Sequence, residues 1–113
     1  MDKIKKYKEL VKGVIKDVAK KSDISKQGIS TKIVIDDSHG QYLLYQDGWR
    51  NEMRFYGCFL HLEVAKNGKI WLQHDGTDLI IGKKLQNLGV PKSDIVVGFH
   101  APFMRKDTEY ALG

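Results

Sequence analysis

The chain has 113 residues, of which 42% are hydrophobic, 29% charged and 10% aromatic, and a formal net charge of +5. This composition predicts one globular domain over residues 1–113 and excludes a disordered, collagen-like or coiled-coil chain. No apolar run approaches the ~20 residues of a membrane span, and Met1 leads into lysines rather than an apolar signal segment. Cys58 is the only cysteine, which excludes an internal disulfide framework and predicts a cytoplasmic location.

The excess positive charge is confined to residues 1–21. This segment holds eight lysines against three acidic residues, whereas the remaining 92 residues hold eleven basic and eleven acidic ones. The eight are Lys3, Lys5, Lys6, Lys8, Lys12, Lys16, Lys20 and Lys21. They indicate either a solvated helix face or a contact with the DNA backbone, an acidic partner or a membrane surface. The membrane is least favoured, because the apolar residues of the segment include neither Trp nor Phe.

The same segment predicts an amphipathic helix. Its apolar side chains recur at helical spacing, at Ile4, Tyr7, Leu10, Val11, Val14, Ile15 and Val18. Gly13 either costs this helix about 1 kcal/mol or marks a close contact.

After a polar link near Ser22–Ser30, the pattern changes to that of β-strands. Four strands joined by short turns predict an antiparallel meander, at Thr31–Asp36, Gln41–Gln46, about Glu52 to Ala65, and Lys69–His74. Asp47-Gly48 is expected to end the second strand as a hairpin turn. Gly57 is expected to mark a bulge or a close approach in the third.

A second helix is predicted over Leu79–Leu88. Thr77 is expected to cap its start, Asp78 to suit the helix dipole, and Gly89 to end it. Its core face is expected to carry Ile81, Leu85 and Leu88.

A short last strand at Ile95–Val97 and an irregular tail over Phe99–Gly113 complete the predicted elements. The fold class is therefore α+β. It comprises an N-terminal amphipathic helix, an antiparallel four- to five-stranded meander sheet, a second helix on the same face as the first, and an irregular C-terminal tail.

No motif in the sequence predicts catalysis or a cofactor. Phosphate-binding loops, dinucleotide fingerprints and nucleophile elbows are absent, and the four histidines lack zinc-site spacing. Strand alternation places Cys58 on the face of Leu60, which predicts an inert core thiol. Asp75 and Asp78 with Glu63 suggest a metal-dependent nuclease, but turn and capping chemistry explains both aspartates more simply.

One predicted sheet face is half polar and is a candidate partner surface. His61 and Glu63 share it on the third strand, and Trp71 and Gln73 share it on the fourth. A solvated face with a packing tryptophan is the alternative. Sequence-specific DNA reading is not favoured, since the strands carry few cations and the predicted helices lie far apart in the chain.

Several blocks of the sequence together resemble the XisI family, the fdxN element excision controlling factors. They are Tyr56-Gly57-Cys58 with His61, the segment 69–78 (Lys-Ile-Trp-Leu-Gln-His-Asp-Gly-Thr-Asp), the segment 88–96 (Leu-Gly-Val-Pro-Lys-Ser-Asp-Ile-Val), and Pro102-Phe103-Met104-Arg105 with Thr108 and Tyr110-Ala111. The resemblance covers nearly the whole chain in order, and the second and third blocks are specific in combination.

The resemblance implies a small cytoplasmic α+β protein of the kind found mainly in cyanobacteria. Its implied role is to control programmed excision of a DNA element during heterocyst differentiation, while a separate site-specific recombinase performs the strand exchange. The implied companion is XisH, a protein that resembles restriction endonucleases. No catalytic residue is carried over. After Asp-Gly-Thr this chain departs from the family, because residues 79–84 are more apolar and more basic than the usual acidic, small-residue helix start.

The sequence therefore predicts a non-enzymatic accessory factor that works through protein contacts, without a cofactor or metal. Its partner would be a XisH-like protein, bound through the half-polar sheet face or through Phe99, Phe103 and Arg105 of the tail. The first alternative is a direct contact between the N-terminal lysines and the DNA backbone. The second is restraint of a nuclease-like XisH in a two-component module. Self-association stays open.

Overall fold

A computed structural model of the protein describes residues 2–22, 27–77, 80–106 and 108–113. The predicted first helix, α1, spans Asp2–Lys21. Its apolar stripe packs on the sheet as expected, with Val11, Ile15 and Val18 fully buried. Gly13 makes no close contact, since an added Cβ would meet no atom within 4 Å. No helix in the described part of the chain is long and apolar enough to cross a membrane.

Five strands form one sheet in the order β1-β2-β3-β4-β5. The strands are β1 (Ile29–Asp36), β2 (Gln41–Arg50), β3 (Met53–Val64), β4 (Ile70–Asp75) and β5 (Ile95–Val97). The first four form the predicted antiparallel meander, whereas β5 lies parallel to β4. A parallel neighbour needs a crossover connection, and the helix α2 (Ile81–Asn87) lies in it. α1 and α2 pack on one face, so the predicted α+β class is confirmed, and the other face is called here the open face.

The prediction that Asp47-Gly48 ends β2 is wrong. The strand continues to Arg50 and turns at Asn51-Glu52, where Asn51 adopts a left-handed φ of 57°. Gly48 instead serves the contact with β1, because a Cβ there would lie 2.2 Å from the carbonyl oxygen of Gly28. Glycine is required at this position by the approach of another backbone, not by a turn.

Cys58 is not a core residue, which corrects the prediction from strand alternation. The pairing runs Leu44 to Leu60 and then Tyr45 to Cys58, so Phe59 is an extra residue on β3. This bulge shifts the alternation by one position, and Cys58 is exposed beside Tyr45 on the open face. Gly57 pairs regularly with Gln46, so the expected bulge lies two residues further along the strand.

The start and the core face of α2 also differ from prediction. Ile80 occupies the N-cap position, and Thr77 instead donates both its backbone N–H and its hydroxyl to Asp75 Oδ1, at 2.9 and 2.6 Å. The expected contributions of Asp78 and Leu79 lie outside the described residues. Ile81 and Leu85 are buried as expected, but Leu88 is 51% exposed. The helix ends at Asn87, and Leu88 lies in the turn that follows.

The tail wraps around the free edge of β5. It contains one helical turn, α3 (Pro102–Arg105), where only irregular structure was predicted. Ala111 donates its backbone N–H to the carbonyl of Ile95 at 2.8 Å and forms a parallel bridge with Val96. Tyr110 packs against α2, where Gly82 makes room for its hydroxyl. One edge of the sheet is thereby covered.

Candidate interaction surface

The polar side chains predicted to share a sheet face do lie together on the open face, and they pair across neighbouring strands. His61 Nε2 lies 2.7 Å from Gln41 Oε1, and Gln73 Nε2 donates to Glu63 Oε1 at 2.9 Å. A bulge between His61 and Leu62 in the β3–β4 pairing places Gln73 and His74 on this face together. These polar groups therefore satisfy one another, which lowers the cost of covering them with a partner.

The environment of His61 favours a neutral imidazole. Partial burial lowers the pKa of His61, Glu63 opposes this by raising it, and His74 lowers it further. Gln41 donates its amide Nε2 to the carbonyl of His39 at 3.2 Å, which turns its Oε1 towards His61. The hydrogen-bond geometry therefore assigns the ring proton of His61 to Nε2.

Part of the Trp71 ring is covered by the tail. The polar sheet face and the tail, which were predicted as alternative partner surfaces, are joined at this contact. The guanidinium of Arg105 lies 5.0 Å from the Trp71 ring centroid, within cation–π range. Three backbone carbonyls fix that guanidinium, which donates from Nε to His100 at 3.1 Å, from Nη2 to Gly98 at 3.3 Å and from Nη1 to Leu112 at 3.4 Å. The open face and the tail are therefore one continuous surface.

The tail contributes exposed aromatic groups to this surface. Phe103 in α3 is 73% exposed, and Phe99 is 50% exposed and lies edge-on to His100 at 5.0 Å between ring centroids. Trp71, by contrast, contributes only part of its ring to solvent. We call Phe99, Phe103, Arg105 and Trp71 the tail surface.

Half of the N-terminal lysines are engaged within the molecule. Lys3 pairs with Asp94 at 3.1 Å, Lys12 with Asp37 at 2.8 Å and Lys21 with Asp17 at 3.2 Å. The fourth, Lys8, donates to the carbonyl of Asp37. Four others have no partner among the described residues and lie exposed on the outer side of α1. They are Lys5, Lys6, Lys16 and Lys20.

The far end of the β2–β3 hairpin is a second exposed aromatic surface, which the sequence analysis missed. Trp49, Met53 and Tyr56 are 56%, 63% and 73% exposed. Arg54 lies between the two rings, with its guanidinium 5.5 Å from the Trp49 centroid and 5.6 Å from that of Tyr56. The expectation that β2 ends at Gln46 hid this surface, because it placed Trp49 in a connection rather than in a strand.

The carboxylates that suggested a nuclease site form hydrogen bonds with their neighbours. Glu63 accepts a hydrogen bond from Gln73, and Asp75 accepts one from Thr77. These are two of the three carboxylates considered for a metal-dependent nuclease, and the third, Asp78, lies outside the described residues. No cluster of three His, Cys, Asp or Glu side chains within metal-binding reach occurs in the described ranges. A shallow groove of about 530 Å³ between α1 and α2 is lined by Leu10, Gly13 and Val14 and bordered by the Asp17–Lys84 ion pair.

These features define a small two-layer α+β protein with exposed aromatic and basic side chains at the tail, at the end of the β2–β3 hairpin and on α1. Comparison with protein-family models matches residues 1–112 to the family described as XisI protein. The chain therefore belongs to the XisI family, as the sequence blocks predicted.

Solved structures of relatives agree with this assignment. A XisI-like protein from Anabaena variabilis ATCC 29413 superimposes with a TM-score of 0.90 at 35% identity, over 97% of this chain and 99% of its own. The fdxN element excision controlling factor XisI from the same strain gives a TM-score of 0.85 at 32% identity, over 98% and 99%. No curated protein sequence matches the chain.

Proposed function

We propose that this protein is a non-enzymatic accessory factor for programmed excision of a DNA element, and that it acts by binding a XisH-like protein. Membership of the XisI family and the likeness to an excision controlling factor support a role in excision control. The observation that carries the mode of action is the tail surface, in which the exposed Phe99 and Phe103 belong to the same short segment as an arginine held over Trp71. A separate recombinase would perform the strand exchange.

The chemistry of the tail surface suits a protein partner. Aromatic and arginine side chains supply most of the binding energy in protein interfaces, particularly where polar groups are already paired. Phe103 offers an exposed anchor, and Arg105 is held in place by three carbonyls and by Trp71. Binding would therefore order few new side chains, which reduces its entropic cost.

The experiment is co-expression of this chain with the XisH-like companion, followed by affinity purification and titration of the separated proteins. We expect copurification, and we expect Phe103→Ser to weaken the affinity by at least about tenfold. Ile80→Ser is the matched control, because Ile80 is 71% exposed on the other side of the molecule, against 73% for Phe103.

Separate elution of the two wild-type proteins contradicts the proposal itself. If the Phe103 and Ile80 variants bind equally well, the XisH-like protein is still the partner, but the tail surface is not where it binds.

Contact with the DNA backbone is a second candidate function. The observation that favours it is the set of four unpaired lysines on α1, which stand away from the sheet and leave their charge available to phosphates. Such contact would be independent of sequence and sensitive to salt.

A further inference from the structure

One edge of the sheet is covered by another segment of the chain, and the other edge is open. The β5 edge has three residues and is covered by the tail through Ala111. The β1 edge has eight residues, and no described residue pairs with its outer side. An open strand edge presents unpaired backbone groups, which natural proteins usually block or cover.

The middle of β1 carries apolar side chains that the molecule does not bury. Ile33, Val34 and Ile35 are 42%, 42% and 37% exposed. Ile33 and Ile35 lie on the helix side, opposite the buried Leu44 and Tyr42, whereas Val34 lies on the open face opposite Leu43. Both faces of the edge are therefore apolar at its centre.

We propose that β1 pairs antiparallel with β1 of a second copy of this chain, about a two-fold axis at Val34. The axis must be perpendicular to the sheet, because only that operation brings two identical edges together antiparallel. Directly opposite residues then lie on the same face in each copy. The sum of paired residue numbers is consequently even, which leaves a register centred on Ile33, Val34 or Ile35.

Charge complementarity selects the register centred on Val34. It places Lys32 opposite Asp36 of the second copy, twice by symmetry, and Ile33 opposite Ile35. The register centred on Ile33 puts Lys32 opposite Val34 instead. The register centred on Ile35 puts Val34 opposite Asp36. Only the central register pairs each of the exposed Ile33, Val34 and Ile35 with another apolar side chain and also pairs Lys32 with Asp36.

The side chains concerned are able to make these additional contacts. Lys32 already donates to both oxygens of Asp47, at 2.8 and 3.0 Å, yet its side chain is 47% exposed and carries a third donor. Asp36 accepts from Ser38 and His39 and keeps 45% of its side chain exposed. The resulting assembly is a pair with one continuous sheet, and the covered β5 edges stop further growth.

Disulfide trapping tests both the pairing and its register. In a Cys58→Ser background, Val34→Cys places the new thiol opposite itself, at a separation that a disulfide spans. We expect oxidation to convert this variant to a covalent dimer, and mixed Lys32→Cys and Asp36→Cys chains to cross-link with each other more than with themselves. Ile80→Cys, an exposed site away from the edge, is expected to stay monomeric under the same conditions.

Sedimentation equilibrium of the uncross-linked protein supplies an independent measurement. We expect a concentration-dependent dimer, and we expect Val34→Lys to abolish it, because the axis brings the two lysines together. A wild-type chain that is monomeric at every concentration overturns the proposal. So does efficient self-cross-linking at Ile33→Cys instead of Val34→Cys. If the wild type is monomeric and Val34→Lys loses binding to the XisH-like protein, the β1 edge binds that partner instead. This result also overturns the proposed dimer.

Discussion

A single carboxylate, Asp94, joins the first helix to the last strand. Its side chain is nearly buried and accepts from the Tyr7 hydroxyl at 2.5 Å and from Lys3 Nζ at 3.1 Å. Burial, reinforced by the hydrogen bond to this carboxylate, raises the pKa of Tyr7 to about 12. The tyrosine therefore stays protonated at neutral pH and acts as a donor.

Removal of that hydroxyl is expected to destabilise the fold. Tyr7→Phe leaves a buried carboxylate with one donor fewer, which should lower the free energy of unfolding by about 1–3 kcal/mol. Urea unfolding followed by circular dichroism measures this. Tyr45→Phe is the control, since no hydrogen bond from its hydroxyl occurs among the described residues, and it should change stability little. Equal effects of the two substitutions would contradict the role assigned to Asp94.

At the scale of elements, the crossover helix α2 is short and depends on few contacts. It has seven residues, too few to be stable alone, and its N-cap residue Ile80 makes no side-chain capping bond. Its position is fixed by buried Ile81 and Leu85 and by the ion pair of Lys84 with Asp17 of α1, at 2.7 Å. Packing, rather than helix propensity, holds this element.

The two leucines of this region should respond differently to truncation. Leu85→Ala creates a cavity at a fully buried site and is expected to cost about 2–5 kcal/mol of unfolding free energy. Leu88→Ala removes a side chain that is 51% exposed and should cost well under half as much. Thermal and urea unfolding of both variants compare them. A larger loss at Leu88 would support the helix limits predicted from the sequence.

Elements with a periodic hydrophobic pattern could be predicted from the sequence, whereas irregularities of a single residue could not. The helical stripe of α1 and the alternation of β1 to β4 follow from periodic burial over many residues. A bulge adds one residue without changing the local composition, so the shift at Phe59 that exposes Cys58 leaves no sequence signal. Gly48 resembles a turn glycine in the sequence. The glycine is needed there because the backbone of Gly28 approaches it, and Gly28 is too distant in sequence for this contact to be predicted. The contact between Arg105 and Trp71 is likewise unpredictable from spacing.

For the whole molecule, the number of unpaired lysines on α1 limits the contact that this helix can make with DNA. The sequence offers eight lysines on α1, but four are engaged within the fold. The remaining four, at about 0.9 per phosphate, limit the slope of log affinity against log salt to about −3.6. Eight free lysines would allow twice that slope.

This limit can be measured by fluorescence anisotropy with duplex DNA over a salt series. The double variant Lys16→Gln with Lys20→Gln is expected to reduce the slope by about 1.8. Lys21→Gln is the control, because Lys21 is paired with Asp17, and it should leave the slope unchanged. No binding at low salt, or a slope insensitive to the double variant, would remove the DNA contact as a function of α1.

The two-layer arrangement places the charged helix and the tail surface on opposite sides of the sheet. α1 covers one face, whereas Arg105 lies over Trp71 on the other. A polyanion and a protein partner would therefore not compete for the same side. In a pair formed through β1, an axis perpendicular to the sheet puts both basic helices on one side and both tail surfaces on the other. Each ligand would then meet two copies of its site at a fixed spacing. Two weak contacts made together would give a higher overall affinity than either contact alone.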